Sequence, residues 1–208
     1  HPNIEMRIFN PVSRDGVYYV NYLGHFKLAN RRMHNKSFTV DNQVSIVGGR
    51  NIADEYFELL TEAEFVDFDM LAVGPVAAEV SATFDRFWNH KLSVPVEALD
   101  RNKKLPDLET ARANVDEESI AASQSIYGRA LDSLLMHNIT EDRVKLFPAE
   151  SKVVTDDPDK LLNKVSTEHK VLLTELANTV DEAVSEVVVI TPYFIPGKNG
   201  VDYWRRIT

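Results

Sequence analysis

The sequence reads RRMHNKSFTVD at residues 31–41 and GGRN at residues 48–51. Two runs rich in β-branched residues, 37–40 and 44–47, flank a short polar stretch at 41–43. β-Branched side chains favour strands, whereas Asp and Asn favour turns. The segment therefore predicts a tight β-hairpin, and the glycine pair after it marks the end of the second strand.

His34 and Lys36 lie two residues apart at the start of this hairpin. Residues two apart in a strand point to the same side, so we expect their side chains to emerge together. An imidazole beside an ammonium suits nucleophilic attack on a phosphate, because the lysine attracts the anion. Gly48 and Gly49 permit close backbone approach, and Asn51 then offers an amide donor to a phosphoryl oxygen. The pattern predicts a nucleophile, a charge clamp and a neutral donor around one tetrahedral oxyanion.

A carboxylate should hold the imidazole in one tautomer. Asp67 and Asp69 open the next predicted strand, at 70–73, and either could reach back. We interpret Asp41 as a turn former that holds the hairpin. The H-x-K-x4-D spacing alone would arise by chance in about two of a hundred chains of this length, and the fixed Gly-Gly and Asn offsets lower that by a factor of hundreds.

The composition is that of a globular protein with 44% hydrophobic and 26% charged residues. A formal net charge of −9 argues against a broad basic surface for nucleic acid, although it permits a local basic pocket. The chain has no cysteine, which excludes disulfides, thiolate metal sites and a cysteine nucleophile. We expect no metal and no cofactor, because the remaining histidines lack partners at metal-ligand spacing.

Arg31 and Arg32 fit solvated surface charges as well as a role near the phosphate.

Beyond the hairpin, strands alternate with helices, which indicates an α/β protein. Helical spacing of apolar residues predicts a helix over 76–89, with its aromatic residues in the core. Residues 97–120 are charged and weakly periodic, which suggests a surface connection. The apolar run at 187–191 predicts a strand that begins a second sheet. The chain ends just inside an apparent helix, so we expect an internal fragment of a longer protein.

The chain resembles the phospholipase D superfamily, whose signature is H-x-K-x4-D followed by Gly-Gly or Gly-Ser and Asn. More particularly, it is similar to bacterial cardiolipin synthases of the C type. The segments that carry this resemblance are IEMRIFNP (4–11), NRRMHNKSFTVD (30–41), VGGRNIADEYF (47–57), FDMLAVGPV (68–76) and TPYFIPG (191–197).

The resemblance implies a fold of two similar lobes, each a mixed β-sheet flanked by helices, with one signature per lobe and the active site between them. We expect residues 1–100 to form an incomplete first lobe. Residues 101–165 would form a partly helical connection, and residues 166–208 the start of the second lobe. A second complete signature does not occur in the chain, so its histidine should lie beyond Thr208.

Carried over position by position, His34 matches the histidine that becomes a phosphohistidine, and Lys36 and Asn51 match phosphate-binding residues. Asp67 matches the acidic residue that orients the nucleophile, with Asp69 as its rival. Asp41, Gly48 and Gly49 match structural positions of the signature.

The expected function of the full-length protein is phosphatidyl transfer between phospholipids at the bacterial cytoplasmic membrane. Contact with that membrane would be peripheral and made through regions outside this chain. The alternatives are a phospholipase or phosphodiesterase that transfers to water, including a nuclease, which the net charge disfavours. A third hypothesis is that the isolated chain is inactive and only binds phosphate. The site would then need the missing second lobe or a homodimer mate.

Overall fold

The computed structural model describes residues 3–11, 32–53, 56, 67–99, 107–124, 126–130, 134–162, 171–191 and 194–207. Five strands are present in these ranges: β1 (Arg7–Phe9), β2 (Ser37–Val40), β3 (Val44–Gly48), β4 (Asp69–Val73) and β5 (Ser93–Pro95). The helices are α1 (Pro75–Trp88), α2 (Leu108–Ser123), α3 (Ile126–Ala130), α4 (Leu134–Thr140), α5 (Val171–Asp181) and α6 (Gly197–Ile207). Single 3₁₀ turns lie at Val96–Ala98 and Pro158–Leu161.

The predicted hairpin is confirmed and forms two strands of a three-stranded antiparallel sheet in the order β2-β3-β4. Asp41 and Asn42 have φ angles of 50° and 56°. The amide of Gln43 donates to the carbonyl of Val40 at 3.0 Å. Positive φ at both central residues is the requirement of a type I′ turn, whose twist matches that of the flanking strands. Asp41 therefore lies in the turn that sets the hairpin register.

Helix α1 packs its apolar side against the strands and supplies most of the buried core. Ala77, Val80 and Phe87 are buried, and the Phe87 ring lies 5.4 Å from that of Phe9 in β1. The aromatic residues were expected in the core, and Phe87 is there. Phe84 is 48% exposed and stacks on Trp88 at the surface, so that prediction was wrong for this residue.

β1 and β5 form a separate antiparallel pair, with Ile8 opposite Val94. The Arg7 guanidinium lies 5.0 Å from the centre of the Trp88 ring and also donates to the Trp88 carbonyl at 3.3 Å. This contact ties the start of the described chain to the end of α1. Every strand pair among the described residues is antiparallel. The described residues combine helices with small antiparallel sheets, which is compatible with the expected α/β class. The mixed sheet implied by the resemblance stays a prediction.

The charged stretch at 97–120, expected as a surface connection, contains most of α2. The helix sequence LETARANVDEESIAAS is rich in Ala and Glu, which have high helix propensity. Its described side chains are mostly exposed, so no one-sided apolar pattern marks it. High helix propensity without a periodic apolar pattern is a weaker signal of a helix. For this reason the apolar periodicity of the sequence did not indicate α2.

Asp107 caps the start of α2, and its removal provides a test of this helix. Its carboxylate accepts from the amide and the hydroxyl of Thr110, both at 2.9 Å. These bonds, the amide first, lower the pKa of Asp107 below its ordinary value. We expect Asp107→Ala to speed hydrogen exchange of the Thr110 amide about 3- to 10-fold. Asp116→Ala, in the middle of the same helix, should leave that amide unchanged.

The pH dependence of this cap has a defined sign. Because the carboxyl pKa is depressed in the folded helix, the cap is fully formed above the ordinary pKa. It is lost as the pH falls through the depressed value. Exchange of the Thr110 amide in the unsubstituted chain should then approach that of Asp107→Ala. A Thr110 amide that exchanges at the same rate in both proteins at neutral pH would contradict the cap.

The contacts within the chain divide it into two units, residues 1–153 and 154–208. In the second unit the Tyr203 hydroxyl of α6 donates to Ala177 and Asp181 of α5, with oxygen distances of 3.1 and 2.9 Å. Burial raises the pKa of Tyr203, and the bond to Asp181 adds to this. The Phe194 ring lies 5.9 Å from that of Trp204.

The strand expected at 187–191 is not formed, so that prediction was wrong for this structure. These residues have no regular secondary structure, and Ile190 is 95% exposed. A strand requires a neighbour for its backbone N–H and C=O groups. Within the described ranges, the sheets contain no strand from this unit.

Candidate functional site

One end of the three-stranded sheet gathers the residues singled out by the sequence. Gly48 at the end of β3 pairs with Asp69 at the start of β4. On its other side, the Gly48 amide lies 3.5 Å from the carbonyl of Lys36, just before β2. Lys36, Gly48 and Asp69 thus form one row across the sheet. His34, Asn51 and Asp67 flank that row in sequence.

His34 and Lys36 are adjacent in space but do not lie in a strand. The lysine Nζ is 3.1 Å from His34 Nδ1 and donates to the His34 carbonyl at 2.8 Å. β2 begins only at Ser37, because the single long contact between Lys36 and Gly48 does not continue the ladder. The prediction of strand geometry was wrong here, whereas the predicted proximity of the two side chains is observed.

The contact with Lys36 is compatible with one neutral tautomer of His34. An ammonium has donors only, so Nδ1 of a neutral ring must accept and Nε2 must carry the proton. Attack through Nε2 requires the opposite arrangement, with Nδ1–H held by an acceptor. Within the described part of the chain, no carboxylate lies at hydrogen-bond distance from His34. Among the described residues, His34 is thus in contact with Lys36 and has no carboxylate partner.

Asp67 and Asp69 differ in their partners. The Asp69 carboxylate forms an ion pair with the Arg50 Nε at 2.8 Å, and the two side chains are 28% and 21% exposed. Asp67 accepts from the amide of Phe68 at 2.8 Å. Asp69 is thus neutralised by a guanidinium. Asp67 has no ion-pair partner among the described residues, and the prediction that one of the two aspartates orients His34 stays a prediction.

The glycine pair allows the two aspartates to approach β3. A Cβ at Gly49 would lie 2.7 Å from Asp67 Oδ2, too close for real atoms. A Cβ at Gly48 would lie 2.8 Å from the carbonyl of Phe68 and would overlap the Asp69 carboxylate. At Gly48 a larger residue would therefore meet fixed backbone, whereas at Gly49 it would displace the Asp67 carboxylate.

Arg50 and Tyr56 were not assigned a role from the sequence, although the structure places both at the site. Arg50 donates to the carbonyl of Tyr56 at 2.6 Å and lies 3.4 Å from that of Asp67. The Asn51 amide donates to the Tyr56 hydroxyl at 3.0 Å. No local sequence pattern marks these contacts, because each depends on how the chain turns after β3.

The other residues that the sequence singled out lie outside this row or outside the described residues. Asp41 lies at the turn, at the opposite end of β2 from Lys36. Arg32 is exposed, and Arg31 lies outside the described residues. His25 and Lys27 repeat the H-x-K spacing with Arg32 at the aspartate position, a partial match that the sequence reasoning overlooked.

Among the residues that the structure describes, no group of three or more His, Cys, Asp or Glu is placed to hold a metal ion. Of the helices in the same ranges, none has both the length and the apolar character needed to cross a bilayer.

The chain is similar over its whole length to Cardiolipin synthase C of Escherichia coli (strain K12). The two are 35% identical over 215 residues, which cover 100% of this chain and 44% of that protein. An uncharacterized protein of Helicobacter pylori (strain ATCC 700392 / 26695) is 30% identical over 209 residues, 99% of this chain and 41% of that protein. An uncharacterized protein of Helicobacter pylori (strain J99 / ATCC 700824) is 30% identical over 201 residues, which cover 95% of this chain and 39% of that protein.

The chain thus spans less than half the length of the curated relatives described here. No protein-family model matches the chain. No solved structure matches it either. The similarity to a cardiolipin synthase noted in the sequence is confirmed at the level of overall identity.

Proposed function

We propose that the full-length protein containing this chain is a phosphatidyltransferase of the phospholipase D superfamily. It would act on phospholipid phosphodiesters through a covalent phosphohistidine at His34. The observation that carries the proposal is the row across the sheet. It places the His34–Lys36 pair, the turn that bears Asn51 and the segment that bears Asp67 at one end of β2-β3-β4. The similarity to Cardiolipin synthase C supports the choice of phospholipid as substrate.

The proposed first step is attack of His34 on the phosphorus of a donor phospholipid. The new N–P bond forms as the P–O bond to the headgroup alcohol breaks. Lys36 and Asn51 would bind the phosphoryl oxygens and stabilise the charge that develops there. When Lys36 turns from Nδ1 to the phosphate, the imidazole proton can move to Nδ1. Asp67 is the proposed acceptor that then holds it.

The second step requires a group outside this chain. In the first step this group would donate a proton to the departing alkoxide. In the second step it would take a proton from the acceptor hydroxyl, whose oxygen then attacks phosphorus as the N–P bond breaks. A histidine of a second signature would supply it, either from a second lobe or from another copy of the chain. In this proposal residues 1–100, 101–165 and 166–208 are the partial first lobe, the connection and the start of the second lobe. The enzyme would sit peripherally on the inner face of a bacterial membrane.

A second candidate is a phosphate-binding half-site without turnover, which applies to the isolated chain. The contact of Lys36 with Nδ1 supports it, because a neutral His34 that keeps this contact has its proton on Nε2. The two candidates differ in a simple measurement. The purified 208-residue chain should not hydrolyse a chromogenic phosphodiester. Hydrolysis at a rate that depends on His34 would overturn the half-site reading.

The test of the main proposal is capture of the covalent intermediate. The full-length protein is mixed with phosphatidylglycerol vesicles, denatured rapidly at neutral pH, and examined by intact-mass and peptide mass spectrometry. We expect a phosphatidyl adduct on the peptide that contains His34. Product formation without an adduct, or an adduct on another residue, would refute the proposal. Cardiolipin as product indicates transfer to a second phosphatidylglycerol, whereas phosphatidic acid indicates transfer to water.

A further inference from the structure

The Tyr56 hydroxyl is the described protein group that holds the side-chain amide of Asn51. The distance from the amide nitrogen to the phenol oxygen is 3.0 Å, and both side chains are half-buried. An Asn amide has two N–H donors. With one of them bound to Tyr56, rotation of the amide is restricted and the second N–H points into a narrower range of directions.

Tyr56 is itself held by its backbone. Its amide donates to the carbonyl of Ala53 at 2.9 Å. Its carbonyl accepts from Arg50 at 2.6 Å, and Arg50 is in turn paired with Asp69 at the start of β4. The phenol is thus anchored to the sheet through the residue that directly precedes Asn51. A hydrogen bond to a group that is already fixed is more favourable than one to a mobile side chain, because the fixed group loses less conformational entropy when the bond forms. Such a bond therefore restricts its partner more strongly.

We propose that Tyr56 is a positioning residue for the phosphate site. Its hydroxyl holds the Asn51 amide so that the second N–H stays directed at the phosphoryl oxygen. This role rests on the proposed function, in which Asn51 binds that oxygen during attack by His34. Tyr56 does not touch the reacting atoms, and its effect passes through Asn51.

The test measures formation of the phosphatidyl adduct in the full-length protein with phosphatidylglycerol vesicles. Asn51→Ala should lower the rate about 10²- to 10³-fold, the usual effect of removing one oxyanion donor. Tyr56→Phe removes one neutral hydrogen bond and should lower the rate about 3- to 10-fold. In the Asn51→Ala background, Tyr56→Phe should change the rate by less than about twofold, because the group it positions is gone.

A merely structural role of Tyr56 predicts a different result for the single and double variants. In that case Tyr56→Phe would lower the rate by the same factor in both backgrounds, and the proposal is overturned. The matched control is Tyr203→Phe, which removes a hydrogen-bonded hydroxyl in the second unit and should leave the rate unchanged.

A second measurement does not depend on activity. The side-chain amide resonances of Asn51 in ¹⁵N-labelled protein should shift in Tyr56→Phe and stay in place in Tyr203→Phe. If the unsubstituted protein forms no adduct, the proposed function fails while the Asn51–Tyr56 contact is still decided by these resonances. Unchanged Asn51 resonances in Tyr56→Phe would overturn the positioning role whatever the activity.

Discussion

Replacing His34 by alanine should abolish the phosphatidyl adduct and lower turnover of the full-length protein at least about 10⁴-fold. Removing a covalent nucleophile leaves only the binding and charge-stabilising groups, which retain a small residual rate. The Lys36 ammonium and the Asn51 amide remain, so affinity for the phospholipid should change much less than turnover. The measurement is the initial rate of product formation together with the intact mass of the protein after rapid denaturation.

The control for this substitution is His137→Ala, which removes an exposed histidine on α4. It should leave both adduct and rate unchanged. Added imidazole should restore part of the turnover in His34→Ala, since the small base can enter the exposed position left by the side chain. An adduct of unchanged yield in His34→Ala would rule out this residue as the nucleophile.

Replacing Gly48 by alanine should destabilise the first unit by about 1–3 kcal/mol, the usual cost of forcing a methyl group into a filled space. The added Cβ would lie 2.8 Å from the Phe68 carbonyl, which is backbone and held by the pairing of β3 with β4. It would also displace the Asp69 carboxylate from Arg50. Chemical denaturation followed by Trp88 fluorescence would measure the change.

Gly49→Ala is the informative comparison. The three atoms nearest its Cβ all belong to the carboxylate of Asp67, which can rotate away. The expected loss of stability is therefore below about 1 kcal/mol. Adduct formation should still fall, because Asp67 is moved from its place. Equal destabilisation by the two substitutions would show that the β3–β4 pairing does not constrain Gly48 in the way described.

The hairpin and the helix after it could be predicted because their signals are local. Asp41 and Asn42 tolerate the left-handed backbone of the turn, and the β-branched runs beside them favour strands. In α1, Pro75 begins the helix after Gly74, whose φ of 90° suits glycine. The proximity of His34 and Lys36 needs only their spacing. Each of these features depends on residues that are close in the sequence, so the sequence alone can indicate it.

The remaining features depend on contacts that sequence spacing does not report. The pairing of Arg50 with Asp69 joins residues 19 apart, and it decides which aspartate remains without a guanidinium partner. Tyr56 reaches Asn51 only because of the turn after β3. The apolar run at 187–191 has strand propensity but no paired neighbour in the described ranges, and pairing rather than propensity makes a strand.

The row formed by Lys36, Gly48 and Asp69 also bears on the order of folding. The hairpin joins Lys36 to Gly48 through a short loop, and closing a short loop has a low entropic cost. Hairpins of this kind form in about 1–10 µs. The contact between Arg7 and Trp88 spans 81 positions and must wait for a far less probable encounter. We therefore expect the proposed catalytic pair to be assembled early in folding, before Arg7 in β1 meets Trp88 at the end of α1.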